Sequence, residues 1–209
     1  VGLVGPTGSG KTTIVDIALG LLRPVFGELA VNDIVVTPDN VSGWQQCIGY
    51  VPQQICLLDD TIAKNIAFGV PDSEIDRDVL EQVARIANVH DYVVNELSDG
   101  YETIVGQRGL RLSGGQQQRI GIARALYHKP DILVLDEATS ALDGVTENVV
   151  MDAISQLSHK LTIIMIAHRM NTVKNCDVIH YIDQGRIVSS GTYTGLSESC
   201  QHFREMVEA

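Results

Sequence analysis

Gly5-Pro6-Thr7-Gly8-Ser9-Gly10-Lys11-Thr12-Thr13 follows directly on the apolar run Val1 to Val4. The spacing fits G-x-x-x-x-G-K-[ST], a loop between a strand and a helix whose amides surround phosphate. Glycines let backbone N–H groups curl round an anion without a side chain in the way. A helix starting near Lys11 aims the positive end of its dipole at the same charge. In that chemistry Lys11 reaches the β- and γ-phosphates and the Thr12 hydroxyl holds Mg²⁺. A nucleoside triphosphate with Mg²⁺ is therefore the expected ligand.

A second chemical pair is Asp136-Glu137, placed just after the apolar run Ile132 to Leu135. A carboxylate at the end of a buried strand is costly unless a cation compensates it. Asp136 is expected to hold Mg²⁺, and Glu137 to accept a proton from an attacking water. Two weaker signals share the pattern of a polar residue after a short apolar strand: Gln53 after Val51, and His168 after Ala167. Each alone is commonplace, and each gains weight only if the strands deliver both to one sheet edge.

The elements that must position these residues alternate between strand and helix. Lys11 to Leu22 reads as an apolar helix ended near Arg23-Pro24. Asn32-Asp33 separates two short β-like runs and predicts a hairpin, as does Asp183-Gln184-Gly185 near the end. Ile48 to Val51, Ile132 to Leu135 and Thr162 to Ala167 read as buried strands. Thr61 to about Leu97 switches to helical spacing, and Gln116 to Tyr127 and Val145 to Leu157 predict further helices. Buried strands alternating with helices predict an α/β fold with a mostly parallel sheet covered by helices, and ligands beyond the strands' carboxyl ends.

The 209 residues suffice for one large domain or a core plus a smaller subdomain. No apolar run reaches the length of a membrane span, and no signal segment opens the chain. The net charge of −11 argues against a surface that coats nucleic acid. The cysteines Cys47, Cys56, Cys176 and Cys200 lack metal-ligand spacing and read as reduced thiols. Cys47 and Cys56 have apolar neighbours, so both are expected to be buried. The chain opens on the strand that feeds the phosphate loop, so it is expected to be a fragment with its N-terminal strands missing.

One stretch remains unexplained by these elements. Leu112-Ser113-Gly114-Gly115-Gln116 opens the helix that runs to Tyr127. Ser113 and Gln116 form a capping box. The two glycines are a different matter, because glycine in a helical turn costs up to about 1 kcal/mol relative to alanine. They predict that something comes very close to the backbone there. A bare helix start is also a second anion site. Two anion sites can serve one nucleotide if two copies of the chain meet head to tail.

With these motifs in order, the sequence resembles the nucleotide-binding domain of ATP-binding cassette (ABC) transporters over essentially its whole length. Gly5–Thr12 resembles the Walker A motif and Ile132–Glu137 Walker B. Gln53 falls at the Q-loop glutamine, Leu112–Gln116 is the unaltered signature, Ser140-Ala141-Leu142-Asp143 resembles the D-loop, and His168 matches the switch histidine. Thr103-Ile104-Val105-Gly106-Gln107-Arg108-Gly109 is similar to the exporter stretch T-x-V-G-E-R-G, with Gln107 replacing the usual glutamate.

The resemblance implies a P-loop core over residues 1–53 and 128–209 and a helical subdomain over about 54–127. It implies MgATP held by Gly5, Pro6, Thr7, Gly8, Ser9, Gly10, Lys11, Thr12 and Thr13. Thr12, Gln53 and Asp136 are then metal ligands, with Glu137, His168 and Lys11 as catalytic groups. Ser113, Gly114, Gly115, Gln116 and Asp143 would act across a dimer of identical or similar cassettes. It further implies a transmembrane domain on the same polypeptide, a place at the cytoplasmic face of the inner (plasma) membrane, and ATP-driven export. The run Asp59 to Gly69 is similar to bacterial cassettes that export lipid or lipid-linked saccharide. The alternatives are a soluble ABC ATPase of DNA repair or translation and a regulatory cassette that no longer hydrolyses ATP.

Overall fold

The computed structural model describes all residues except 107–108, 140, 158–160, 168–169 and 209, and the side chains of the remainder except 171 and 208. In chain order the elements are β1 (Gly2–Val4), α1 (Lys11–Ala18), β2 (Ala30–Val31), β3 (Ile34–Val35), α2 (Val41–Gln46), β4 (Ile48–Val51) and β5 (Asp60–Thr61). Then come α3 (Ile62–Ile66), α4 (Arg77–Ile86), α5 (His90–Glu96), β6 (Ile104–Val105), α6 (Gly114–Tyr127) and β7 (Ile132–Asp136). The chain closes with α7 (Gly144–Ser155), β8 (Thr162–Ile166), α8 (Met170–Val173), β9 (Ile179–Asp183), β10 (Arg186–Gly191), α9 (Tyr193–Ser199) and α10 (Gln201–Glu208). Contacts divide the chain into one unit of residues 1–48, 134–137 and 162–209 and another of residues 49–133 and 138–161.

The first unit is built on the expected α/β plan. The strand order is β10-β9-β1-β8-β7-β4, with β4 leaving this unit after Ile48. β1 pairs parallel with β8 and with β9, and β10 returns antiparallel along β9. Val4, Ile166, Ile179 and Ile182 are almost wholly buried, as strands covered on both faces require. Both expected hairpins form. Asn32 and Asp33 have φ of 48° and 64°, and Gln184 and Gly185 have 47° and 74°. These are the consecutive left-handed pairs of two-residue turns whose twist matches the strands they join.

The first helix is shorter than the sequence predicts. α1 stops at Ala18 because Gly20 turns left-handed at φ 70°. Its N–H donates to the Ile17 carbonyl and that of Leu21 to Asp16, the paired bonds of a Schellman stop. Leu21 and Leu22 are therefore exposed, not part of the helix's buried face. α2, absent from the expectation, supplies the remaining partners. Trp44 Nε1 donates to the Ala18 carbonyl at 2.7 Å, and Gln45 Nε2 to that of Leu19 at 3.2 Å.

The second unit is mostly helical. β5 and β6 pair antiparallel as a two-residue ribbon, with Asp60 opposite Val105 and Thr61 opposite Ile104. Thr61 then caps α3, and Asp76 caps α4 by accepting from the N–H groups of Asp78 and Val79. Ile62, Ile66, Leu80, Ala84, Ile120 and Ile122 form its fully buried core. The cysteine expectation fails here. Cys56 is exposed and Cys47 only half-buried. Cys56 is exposed between the half-buried Ile55 and Leu57, in a stretch outside any helix or strand.

Candidate functional site

The phosphate loop lies in the first unit and is shaped by residues around it. Gly5 has φ 151°, and a Cβ at that position would overlap the Ile182 carbonyl of β9. Gly8 and Gly10 are left-handed at φ 78° and 101°, while Pro6, Thr7 and Gly8 face solvent. The Ser9 carbonyl accepts from the Gly185 N–H at 2.9 Å, which ties the loop to the β9–β10 turn. Such a loop can present its amides outward only because glycine tolerates these conformations.

Lys11 sits in the first turn of α1 and is only 6% exposed. Its Nζ donates to the Gly5 carbonyl at 2.8 Å and the Pro6 carbonyl at 2.9 Å. Burial pushes the ammonium's pKa down, and the nearby Glu137 and Asp136 carboxylates push it back up. The cation and two carboxylates thus share one neighbourhood, with Thr12 and Thr13 exposed on the same turn. This set fits a metal–triphosphate complex: one fixed cation for phosphate oxygens, a hydroxyl and a carboxylate for the metal.

Asp136 ends β7 and is 6% exposed. Glu137 follows with φ 50°, a left-handed conformation that costs a side chain such as glutamate about 1–2 kcal/mol. Its N–H donates to the Ile166 carbonyl of β8 at 3.1 Å, which holds it there. Strain at one acidic residue beside a phosphate loop is a mark of sites under functional constraint. His168 lies outside the described residues, as do Ser140, Gln107 and Arg108.

In the second unit, Gln53 is exposed two residues after β4. The capping box at the start of α6 is complete. Ser113 Oγ accepts from the Gln116 N–H at 3.2 Å, and Gln116 Oε1 accepts from the Ser113 N–H at 2.7 Å. Ser113 and Gly114 are exposed. The close approach predicted at the glycines has an intrachain part. A Cβ on Gly114 would lie 3.3 Å from Ala141 Cβ, and one on Gly115 would lie 3.3 Å from the Ala141 carbonyl. Gln118, which sequence reasoning missed, fixes the same loop by accepting from the Ala141 N–H at 3.0 Å. Asp143 caps α7: its carboxylate accepts from the N–H groups of Val145 and Thr146 and from the Thr146 hydroxyl. Those bonds, the Thr146 N–H foremost, hold its pKa below the usual carboxylate value.

The same unit carries a groove with a volume of about 420 Å³, walled by Ile55, Cys56, Leu57, Leu110, Arg111 and Leu112. Gly106, in the exporter-like stretch, also lines it.

The sequence profile of the family described as "ABC transporter" matches residues 1–140. The chain belongs to the ABC transporter family. Among curated relatives, this ABC cassette is 41% identical over 206 residues to the ABC multidrug transporter MDR2 of Trichophyton tonsurans, covering 98% of the chain and 15% of that protein. It is 43% identical to ABC transporter B family member 22 of Arabidopsis thaliana, over 93% of the chain and 16% of that protein. It is 44% identical to multidrug resistance protein pgp-1 of Caenorhabditis elegans, over 93% and 15%. The cassette thus spans about 15% of the length of these relatives. Among solved structures it resembles a bacterial Atm1-family ABC exporter with ATP bound, at a TM-score of 0.91 and 36% identity, covering 98% of this chain and 35% of that one. Among the described residues no helix is long and apolar enough to cross a membrane.

Proposed function

We propose that the cassette binds and hydrolyses MgATP as one half of a head-to-tail pair and thereby drives export across a membrane. The observation that carries this reading is the buried Lys11 ammonium, within electrostatic reach of Glu137 and Asp136 at the end of β7. ABC cassettes as a family are ATPases that use ATP, usually with Mg²⁺.

Bound MgATP supplies the scissile phosphoanhydride and a divalent charge that offsets the two carboxylates. Lys11 and the amides of residues 5–13 hold the phosphates in place. Thr12 and Asp136 serve as protein ligands of the metal, and Gln53 takes the same role on the resemblance. So few protein ligands suit Mg²⁺, which completes its shell from water and phosphate. Glu137 takes the proton of the attacking water at its carboxylate, and its strained backbone fixes where that carboxylate starts. His168 contacts the γ-phosphate on the resemblance alone. The exposed Ser113 and Gly114, with the half-buried Gly115 and Gln116, offer a helix start to the partner cassette's nucleotide, and Asp143 acts beside that interface.

The partner on the membrane side is a transmembrane domain of the same polypeptide, seated at the groove beside Ile55 and Gly106. On this reading the cassette works at the cytoplasmic face of the membrane. The named relatives are multidrug transporters and B-family members, which favours drug-like cargo over lipid-linked saccharide.

The test is Glu137→Gln in the full-length protein. It keeps ATP affinity and lowers turnover by about 10²–10⁴-fold, the weight of a general base. Turnover at the wild-type rate would remove Glu137 from that role.

A further inference from the structure

Arg124 lies near the end of α6, on the same helix that begins at Ser113. Its guanidinium reaches three oxygens at once. Nε donates to the Asn65 carbonyl at 2.7 Å, Nη1 to the Cys56 carbonyl at 2.9 Å, and Nη2 to Asn65 Oδ1 at 3.0 Å. The Phe68 ring lies 5.2 Å below it. Asn65 is fully buried and holds the neighbouring chain in turn. Its side chain accepts from the Leu58 N–H at 2.9 Å and donates to the carbonyls of Leu58 and Thr61 at 3.1 and 3.0 Å. One turn earlier on α6, a Cβ at Gly121 would overlap the Ile55 side chain. Ile55 and Cys56 are the groove wall.

These acceptors are neutral oxygens. Burial pushes the Arg124 pKa down, so the charge sits there at a cost. A neutral side chain would avoid the cost but lacks a rigid fork of donors that meets several acceptors in one plane. The residue type is explained by geometry and not by charge pairing.

We propose that Arg124 is a positioning residue that locks the groove wall at Cys56 to the helix beginning at Ser113, so that a partner in the groove and a nucleotide at Ser113 act on one rigid body. A helix transmits displacement along its axis because each turn is bonded to the next. Movement of Cys56 by a seated partner then moves the Ser113 cap, and closure on a nucleotide at Ser113 moves Cys56. The proposal rests on the reading above, in which the cassette hydrolyses ATP and the groove seats a membrane domain.

The test uses Arg124→Lys and Arg124→Gln in the full-length protein. Glutamine also removes the buried charge, so it is the variant expected to fold if lysine does not. Two quantities are read: kcat and KM for MgATP, and the alkylation rate of Cys56 by N-ethylmaleimide with and without MgATP, followed on the Cys56 peptide by mass spectrometry. In the wild type, MgATP changes Cys56 alkylation by about fivefold, a typical coupling between sites. In the variants that response disappears, and kcat falls about tenfold while KM stays near wild type. Variants that keep the ATP response of Cys56 overturn the proposal, whatever happens to kcat, because a merely structural arginine would lower kcat alone. A wild type that hydrolyses ATP while Cys56 ignores it overturns this proposal and leaves the functional reading standing. A wild type with no ATPase activity removes the functional reading itself.

Discussion

Gln118 Oε1 accepts a hydrogen bond from the Ala141 N–H at 3.0 Å, and Gln118 is 4% exposed. The bond joins the signature helix to the loop that leads into the Asp143 cap of α7. It holds Ala141 and Leu142 where they press against Gly114 and Gly115. Gln118→Ala removes a part-buried hydrogen bond, which costs about 0.5–1.5 kcal/mol. Chemical denaturation followed by circular dichroism should show the lower midpoint. An unchanged midpoint means water replaces the side chain without loss.

Gly115→Ala separates two explanations for the signature glycine. Within the chain the new methyl lies 3.3 Å from the Ala141 carbonyl, a tight but tolerable fit. Alanine also gains up to about 1 kcal/mol of helix propensity over glycine. Stability should therefore change little. ATP turnover in the full-length protein should fall by about tenfold or more, the scale of a displaced catalytic contact. Full activity would show that Ala141 alone accounts for the glycine.

Lys11 gives a signed pH effect on binding. Its free-state pKa is lowered by burial, and a bound polyanion raises it again. Only the protonated ammonium attracts phosphate. Affinity for MgATP is therefore level below the free-state pKa and weakens as pH rises through it, earlier than an exposed lysine would allow. In the alkaline window between the two pKa values each binding event takes up a proton. Calorimetry in buffers of different ionisation heat measures that uptake, and its absence would place the phosphates away from Lys11.

Gly5→Ala should fail at the level of folding. The added methyl meets the Ile182 backbone of β9, which cannot rotate away, and φ 151° disfavours any side chain. The expected loss is about 3 kcal/mol or more, among the large values for point changes. Limited proteolysis of the purified variant would report it. Wild-type resistance would show that β1 and β9 can separate at little cost.

Much of this protein is legible before any coordinates, because the signals are local. Gly5 to Thr12 specifies a loop by steric permission within a few residues. The Ser113–Gln116 box reads from one helical turn, and Asn32-Asp33 and Gln184-Gly185 announce their turns because few residues accept positive φ. The left-handed Glu137 carries no such signal, since its N–H bonds to the carbonyl of Ile166, a residue distant along the chain. Gly20 was legible in principle as a helix stop, yet the apolar Leu21 and Leu22 beyond it read as more helix.

What the tertiary structure decided is which distant segments meet. Arg124 and Asn65 are 59 residues apart, and neither residue advertises the other. β5 and β6 are too short to recognise and exist only as a pair, since a two-residue strand has no period of its own. The order β10-β9-β1-β8-β7-β4 follows from packing between strands far apart in sequence. Local chemistry reads from neighbours along the chain, whereas the groove wall, the Ala141 contact and the carboxylates beside Lys11 depend on neighbours that only folding supplies.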